Sequence, residues 1–156
     1  MRCYHDNDYH IQIMTFQKEL DIFDNCIISK GLKQSGQRRD ILKTFLKTEK
    51  HLTADELFRL VKKKNPSIGV ATVYRTIKLI CDCGLGRELR LDNDSVRYEH
   101  FFNHDHHDHL YCTDCGELTE VVDREIEKLQ QKLAKKAGFK MQGHRLIIHG
   151  ICRKCS

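Results

Sequence analysis

The chain has 156 residues, 40% hydrophobic and 31% charged, which suits one or two small domains with modest cores and leaves no apolar run near the roughly 20 residues of a membrane span. Eight cysteines would fit a secreted disulfide scaffold, but the start lacks the basic opening and apolar middle of a signal peptide, so a reducing, cytoplasmic setting with cysteines on metal is expected. The net charge of +5 lies in residues 1–98, with 18 Lys+Arg against 13 Asp+Glu, while residues 99–156 balance at nine each; a basic first part fits a polyanion partner or, equally, a solvated basic surface.

Residues 1–14 read as a polar N-terminal extension, and Cys3, His5 and His10 within it as a frayed terminus. Phe16, Leu20, Phe23 and Ile27 then recur at helical spacing, and Gly31 stops that helix. Ser35 precedes a second helix with Ile41, Leu42, Phe45 and Leu46 on one face. Thr53 and Glu56 spell a capping box for a third, with Leu57, Leu60 and Val61 inward, ended by Asn65-Pro66. A fourth runs from about Val70 to Cys83, with Val73, Ile77 and Ile80 inward, before Gly84. Two alternating runs, Arg87–Leu91 and Val96–Phe101, flank Asp92-Asn93-Asp94-Ser95, which is hairpin chemistry. Helices followed by a hairpin describe a winged helix-turn-helix over 15–98. Its fourth helix would offer Thr72, Tyr74, Arg75 and Lys78 to DNA. Periodicity alone equally allows Tyr74 as a core aromatic and Arg75 as a surface charge.

Residues 99–103 read as a hinge, and 104–156 as a small metal-binding dimerisation domain. His107–Cys112, Leu118–Val122 and Gly143–Ile151 are expected as strands. A helix is expected over about Asp123–Ala137, with Ile126, Leu129 and Leu133 on one face. The fold class expected for the whole is α+β. So small a second domain needs a metal staple and a partner.

Two Cys-x-x-Cys pairs, Cys112/Cys115 and Cys152/Cys155, supply four thiolates for a structural zinc tetrahedron. Cys26 and Cys81 are expected in the core, with Cys83 open between the two readings. In an extended segment, His107 and His109 share one face while His106 and Asp108 share the other, so one strand can serve two metal sites. Remaining ligands would come from Glu120, Glu127, His144, His51, and Glu99 or His100. A site joining His51 and Glu99 to His107, His109 and Glu120 would bridge both domains, as a metal-operated switch requires.

Several motifs together resemble the ferric uptake regulator (Fur) family over roughly Gly31 to Cys155. They are Gly31-Leu32-Lys33 with Gln37-Arg38, His51-Leu52-Thr53-Ala54-Asp55-Glu56-Leu57, and Gly69-Val70-Ala71-Thr72-Val73-Tyr74-Arg75. His106-His107-Asp108-His109-Leu110 with Cys112 and Cys115, and Gly143-His144, complete the set. The resemblance implies a homodimeric, metal-dependent repressor bound to double-stranded operator DNA and acting on no small-molecule substrate; a tetramer stands as the alternative to the dimer. It implies a regulatory site of His51, Glu99, His107, His109 and Glu120, a second site of His106, Asp108, Glu127 and His144, and zinc on the four cysteines. It places Lys33, Tyr74 and Arg75 at DNA. The chain is one residue longer than many relatives before the histidine run, so His100 competes with Glu99; Arg97-Tyr98-Glu99 fits the common pattern.

Imidazole and carboxylate without thiolate suit iron(II) as the regulatory ion, with manganese, cobalt or zinc as substitutes. Within the family, zinc, manganese or peroxide sensing is the alternative; peroxide sensors usually carry aspartate where this chain has Glu99 and Glu120. From another class, a zinc hydrolase would use His51, His107 and His109, but catalysis needs an open coordination position that a five-ligand site lacks.

Overall fold

The computed structural model describes residues 16–48, 50–91, 96–102 and 106–156. Cys3, His5 and His10, the turn at Asp92–Ser95 and the start of the histidine run at His104 lie outside the described residues. The chain divides into two compact units, Met1–His104 and Asp105–Ser156.

The first unit contains α1 (Gln17–Ser29), α2 (Gly36–Leu46), α3 (Ala54–Lys64), α4 (Val70–Asp82), β1 (Gly86–Arg90) and β2 (Val96–His100). Its core gathers the apolar stripe of each helix: Phe23 and Ile27 from α1, Ile41, Leu42 and Phe45 from α2, Leu57 and Val61 from α3, Val73, Ile77 and Ile80 from α4. Each such side chain contributes about 1.5–3 kcal/mol by leaving water. Leu60, expected with them, is only partly buried.

The α3 capping box is complete. Thr53 Oγ1 accepts from Glu56 N–H at 3.2 Å, and Glu56 Oε2 accepts from Thr53 N–H at 2.8 Å. Partial burial of Glu56 raises its pKa, but the Thr53 donors outweigh this and hold it below the usual range. Thr53→Ala should cost about 1 kcal/mol, read as a lower denaturant midpoint at unchanged slope.

Gly84, at φ +73°, turns the chain out of α4. A Cβ on Gly86 would meet Ile80 and Phe45 at 3.2 Å, so a glycine lets β1 start against the core. β1 and β2 pair antiparallel, with Arg87 opposite Glu99 and Glu88 opposite Tyr98. Leu52 adds a lone bridge to Tyr98, with both backbone bonds made at 2.7 and 2.9 Å. This is a winged helix.

Cys26 is not the core thiol expected of it. It is bonded to Cys83, 57 residues away, with Cα atoms 5.8 Å apart. Nothing in local periodicity reports such a pairing, because it exists only once α1 packs beside the end of α4.

The second unit holds β3 (Asp108–Cys112), β4 (Leu118–Val121), α5 (Arg124–Lys136) and β5 (Ile147–Gly150). The sheet order is β4-β3-β5, with β3 antiparallel to β4 and parallel to β5. β5 is shorter than the expected Gly143–Ile151, since its ladder runs only from His109↔Ile147 to Cys112↔Gly150. Asp123 caps α5, accepting from Glu125 and Ile126 N–H groups. No residue of α5 is buried in the single chain; Leu129 and Leu133 are 63% and 68% exposed. The apolar face read from sequence exists, but none of the described residues of this one chain buries it.

Candidate metal centres and nucleic-acid interface

Parallel pairing of β3 with β5 sets the two cysteine knuckles side by side. Thr113 N–H donates to Gly150 O at 2.9 Å, and Cys152 N–H donates to Cys112 Sγ at 3.2 Å. Cys152 Sγ lies 3.7 Å from Cys115 Sγ and 3.6 Å from Cys155 Sγ, and all four sulfurs fall within 4.8 Å of one another. A zinc tetrahedron with bonds near 2.3 Å sets its sulfurs about 3.8 Å apart. Protonation agrees with that fit. Backbone N–H groups of Cys115 and Cys152 pull the Cys112 pKa down to about 6, whereas sharing with Cys152 and Cys115 pushes Cys155 up to about 12. Thiols this close cannot all ionise alone; a dication removes the conflict.

On one side of the His106–His109 segment, His106 Nε2 and His144 Nε2 approach to 2.8 Å. The same two nitrogens lie 3.3 and 3.4 Å from Asp108 Oδ1, and 3.2 and 3.1 Å from Glu127 Oε1. Asp108 Oδ1 is buried, and among the described residues neither imidazole is angled to form a hydrogen bond with it. Two imidazoles and two carboxylates converging this way fit a divalent ion. His144 comes from the segment before β5, and Glu127 from the first turn of α5.

The other side carries His107 and His109, with ring centroids 5.0 Å apart. Glu120 reaches His107 at 3.7 Å from β4, where it stands opposite His109 in the ladder. In the first unit, His51 Nε2 meets Glu99 Oε2 at 2.7 Å. The Leu52–Tyr98 bridge makes this contact, since it sets the preceding residue beside the following one on β2. Arg97 also donates to the His51 carbonyl at 3.1 Å. Glu99, on β2, is thus the residue that reaches His51, and strand alternation turns its neighbour His100 to the opposite face. Sequence reading missed Arg87. Its guanidinium takes the other Glu99 oxygen at 2.5–2.6 Å and stacks 5.0 Å over Phe101. Counting the hairpin register outward from Asp92–Ser95 would have found it, because that register sets Arg87 opposite Glu99.

Two clefts flank the exposed side of α4. One, about 340 Å³, is lined by Lys33, Gln34, Gln37, Arg38, Thr72 and Arg75, among others. The second, about 460 Å³, includes Asp55, Tyr74, Lys78 and Arg90. Tyr74 is 40% exposed, so the core-aromatic alternative does not hold. Its hydroxyl donates to Asp55 at 3.1 Å, which raises its pKa and keeps the phenol protonated as a donor. Arg75 Nε donates to Ala71 O at 3.2 Å. Arg38 adds a cation and Gln34 a neutral amide to the first cleft, which helix periodicity does not reveal because they border it from the side opposite α4.

Comparison with known proteins gives one answer. A family model described as the Ferric uptake regulator family matches residues 29–149. The ferric uptake regulation protein of Neisseria gonorrhoeae is 38% identical over 126 residues, covering 80% of this chain and 87% of that protein. The ferric uptake regulation protein of Campylobacter jejuni is 32% identical over 148 residues, or 94% of each. Among solved structures, the ferric uptake regulator from Francisella tularensis with iron superposes at a TM-score of 0.72 and 36% identity, covering 80% of this chain and 95% of that one. On the extent and agreement of these matches, the chain belongs to the ferric uptake regulator family.

Proposed function

We propose that this protein is an iron(II)-responsive repressor that binds a palindromic operator as a homodimer in the cytoplasm, and that it is not an enzyme. The observation that carries the reading is the sorting of donors. All four clustered thiolates sit at the knuckles, while His51, Glu99, His107, His109 and Glu120 offer only imidazole and carboxylate. Soft sulfur suits a permanent zinc, whereas the nitrogen and oxygen set suits an ion that exchanges, such as iron(II). The Francisella relative holds iron, which supports the assignment.

In this reading the two donor sets, His51 with Glu99 and His107 with His109 and Glu120, serve one regulatory site. An ion bound there would supply the attraction that favours one arrangement of the two units over others. Its effect extends only as far as the two arrangements differ in affinity for it. His51 and Glu99 must give up their mutual hydrogen bond to take part. Arg87 keeps its hold on one Glu99 oxygen and so leaves the other directed at His51. His106, Asp108, Glu127 and His144 form the second site. The uncovered Leu129 and Leu133 face of α5 supports dimerisation, because isolated apolar patches of that kind mark interfaces.

Lys33, Thr72, Tyr74 and Arg75 are assigned to the operator. Arg75→Ala should weaken operator binding by about 1–3 kcal/mol, roughly 5- to 150-fold, at unchanged metal affinity. Fluorescence anisotropy on a labelled operator, paired with a metal-competition titration, measures both; equal operator affinity would remove Arg75 from the interface.

The function itself is tested by selecting from random duplex DNA with zinc-loaded protein, with and without anaerobic iron(II). Enrichment of one palindrome only with iron is the expected result. Enrichment without added metal, or with zinc at lower free concentration than iron, would overturn the iron assignment.

A further inference from the structure

The first unit carries a covalent link that neither the operator reading nor the metal reading uses. Cys26 lies in the last turn of α1, and Cys83 is the C-cap residue of α4, its N–H bonded to Leu79 O at 2.9 Å. Apart from this link, α1 is held by one apolar stripe and two ion pairs. Phe23 and Ile27 enter the core, Leu20 and Ile22 pack against its edge, and Glu19 is buried beside them. Asp24 pairs with Arg39 of α2. Lys30 reaches Asp82 at 3.6 Å beside the disulfide, with both side chains well exposed, and such surface pairs add little. Much of the rest of α1 faces solvent, including Ile28 at 59% exposure.

Three features set this cysteine pair apart. The zinc-knuckle cysteines belong to the other unit. Cys81, two residues before Cys83, is pushed up to about 12 by burial, so it stays protonated and competes poorly in thiol exchange. Thr72, Tyr74 and Arg75 sit in the first turns of α4, at least eight residues before Cys83, or about 12 Å along the helix axis. Closing or opening the link therefore leaves the operator-reading side chains unobstructed. Disulfides in reducing compartments are rare and, where present, are usually redox-responsive.

We propose that Cys26 and Cys83 form a reversible thiol–disulfide modification site, oxidised by low-molecular-weight disulfides, whose closure fastens α1 to the C-terminal end of the α4 recognition helix. In the oxidising direction, the thiolate of one cysteine attacks a sulfur of the small disulfide, forming a mixed disulfide and releasing one small thiolate. The second cysteine, deprotonated to solvent, attacks the protein sulfur of the mixed disulfide and releases the second small thiolate. Two protein thiols are oxidised, one external disulfide is reduced, and the two protons end on the two released thiolates. The reverse exchange frees α1 to open locally.

The test equilibrates the full-length, zinc-loaded protein in glutathione buffers spanning fully reduced to fully oxidised. Acid quenching, alkylation and peptide mass spectrometry then read the pairing. Hydrogen exchange reads residues 17–29, and zinc is assayed in parallel. The expected result is a single two-electron transition to a cross-linked Cys26–Cys83 peptide. Zinc is retained, and amide exchange across α1 slows by about tenfold or more in the oxidised form. Cys26→Ser and, separately, Cys83→Ser should each abolish both the cross-link and the slowing, so a misfolded single variant cannot mimic the outcome. Both cysteines alkylated at every ratio, a cross-link through Cys81 or a zinc cysteine, or a cross-link with unchanged exchange in α1 would each overturn the proposal.

Discussion

Cys152→Ser should unfold the second unit, lose one zinc per chain and, with it, dimerisation and operator binding. The size of the effect follows from how little else holds that unit together. Among its described residues only Asp108, His109, Tyr111 and Cys112 are buried, against sixteen buried residues in the hydrophobic core of the first unit. Three of the four, Asp108, His109 and Cys112, are ionisable ligand candidates rather than core. Structural zinc supplies about 10–16 kcal/mol of apparent binding free energy at neutral pH, and in a site absent from the unfolded chain that is folding free energy. Cys152 is the member to change. Its sulfur lies within 3.7 Å of two others, and its N–H bonds a third. Metal analysis and thermal melting of the variant provide the check. Full zinc content with an unchanged melting profile would sink the four-cysteine assignment. The first unit, with its own core, should still show a cooperative transition in the same sample.

The second large effect is expected at His107. His107→Ala should lower the iron-dependent gain in operator affinity by at least about 100-fold while zinc content and melting stay near those of the parent. Shifting a two-state equilibrium from 1:99 to 99:1 takes about 10⁴-fold differential affinity. Loss of one first ligand removes a large part of that, since even outer partners of metal ligands are worth about 10- to 100-fold. His107 stands on the side of β3 away from His106 and Asp108, so the second site should keep its affinity. Operator titrations with and without iron(II), run beside a zinc assay, separate the switch from the staple. A variant with the full iron response would show that the regulatory site lies elsewhere.

Much of this was legible because the decisive signals are local. Thr53 and Glu56 announce the start of α3 by reciprocal capping, and the chain obeys. Val73, Ile77 and Ile80 mark one face of α4, and all three are fully buried. Alternation alone put His106 and Asp108 on one side of an extended segment and His107 and His109 on the other, and the contacts divide the same way. What escaped the sequence depends on distant packing. The Cys26–Cys83 link needs α1 and α4 to meet end to end. Arg87 needed the hairpin register before its charge could be matched to Glu99. β5 was overdrawn because a strand can be no longer than the ladder its partner offers, and β3 offers four positions.

The five-residue strand β3 and the two histidines before it serve three donor clusters in seven consecutive residues. His106 and Asp108 face one way, His107 and His109 the other, and Cys112 closes the zinc knuckle. Point substitutions can therefore retune each cluster by itself, leaving the other two alone. A single inserted or deleted codon within the same stretch acts otherwise. It rotates every side chain upstream of the fixed cysteine knuckle to the opposite face, exchanging the donors of two clusters at once. Across descendants of this gene, drift in metal preference should thus be found in residue identity, while the length from His106 to Cys112 stays fixed.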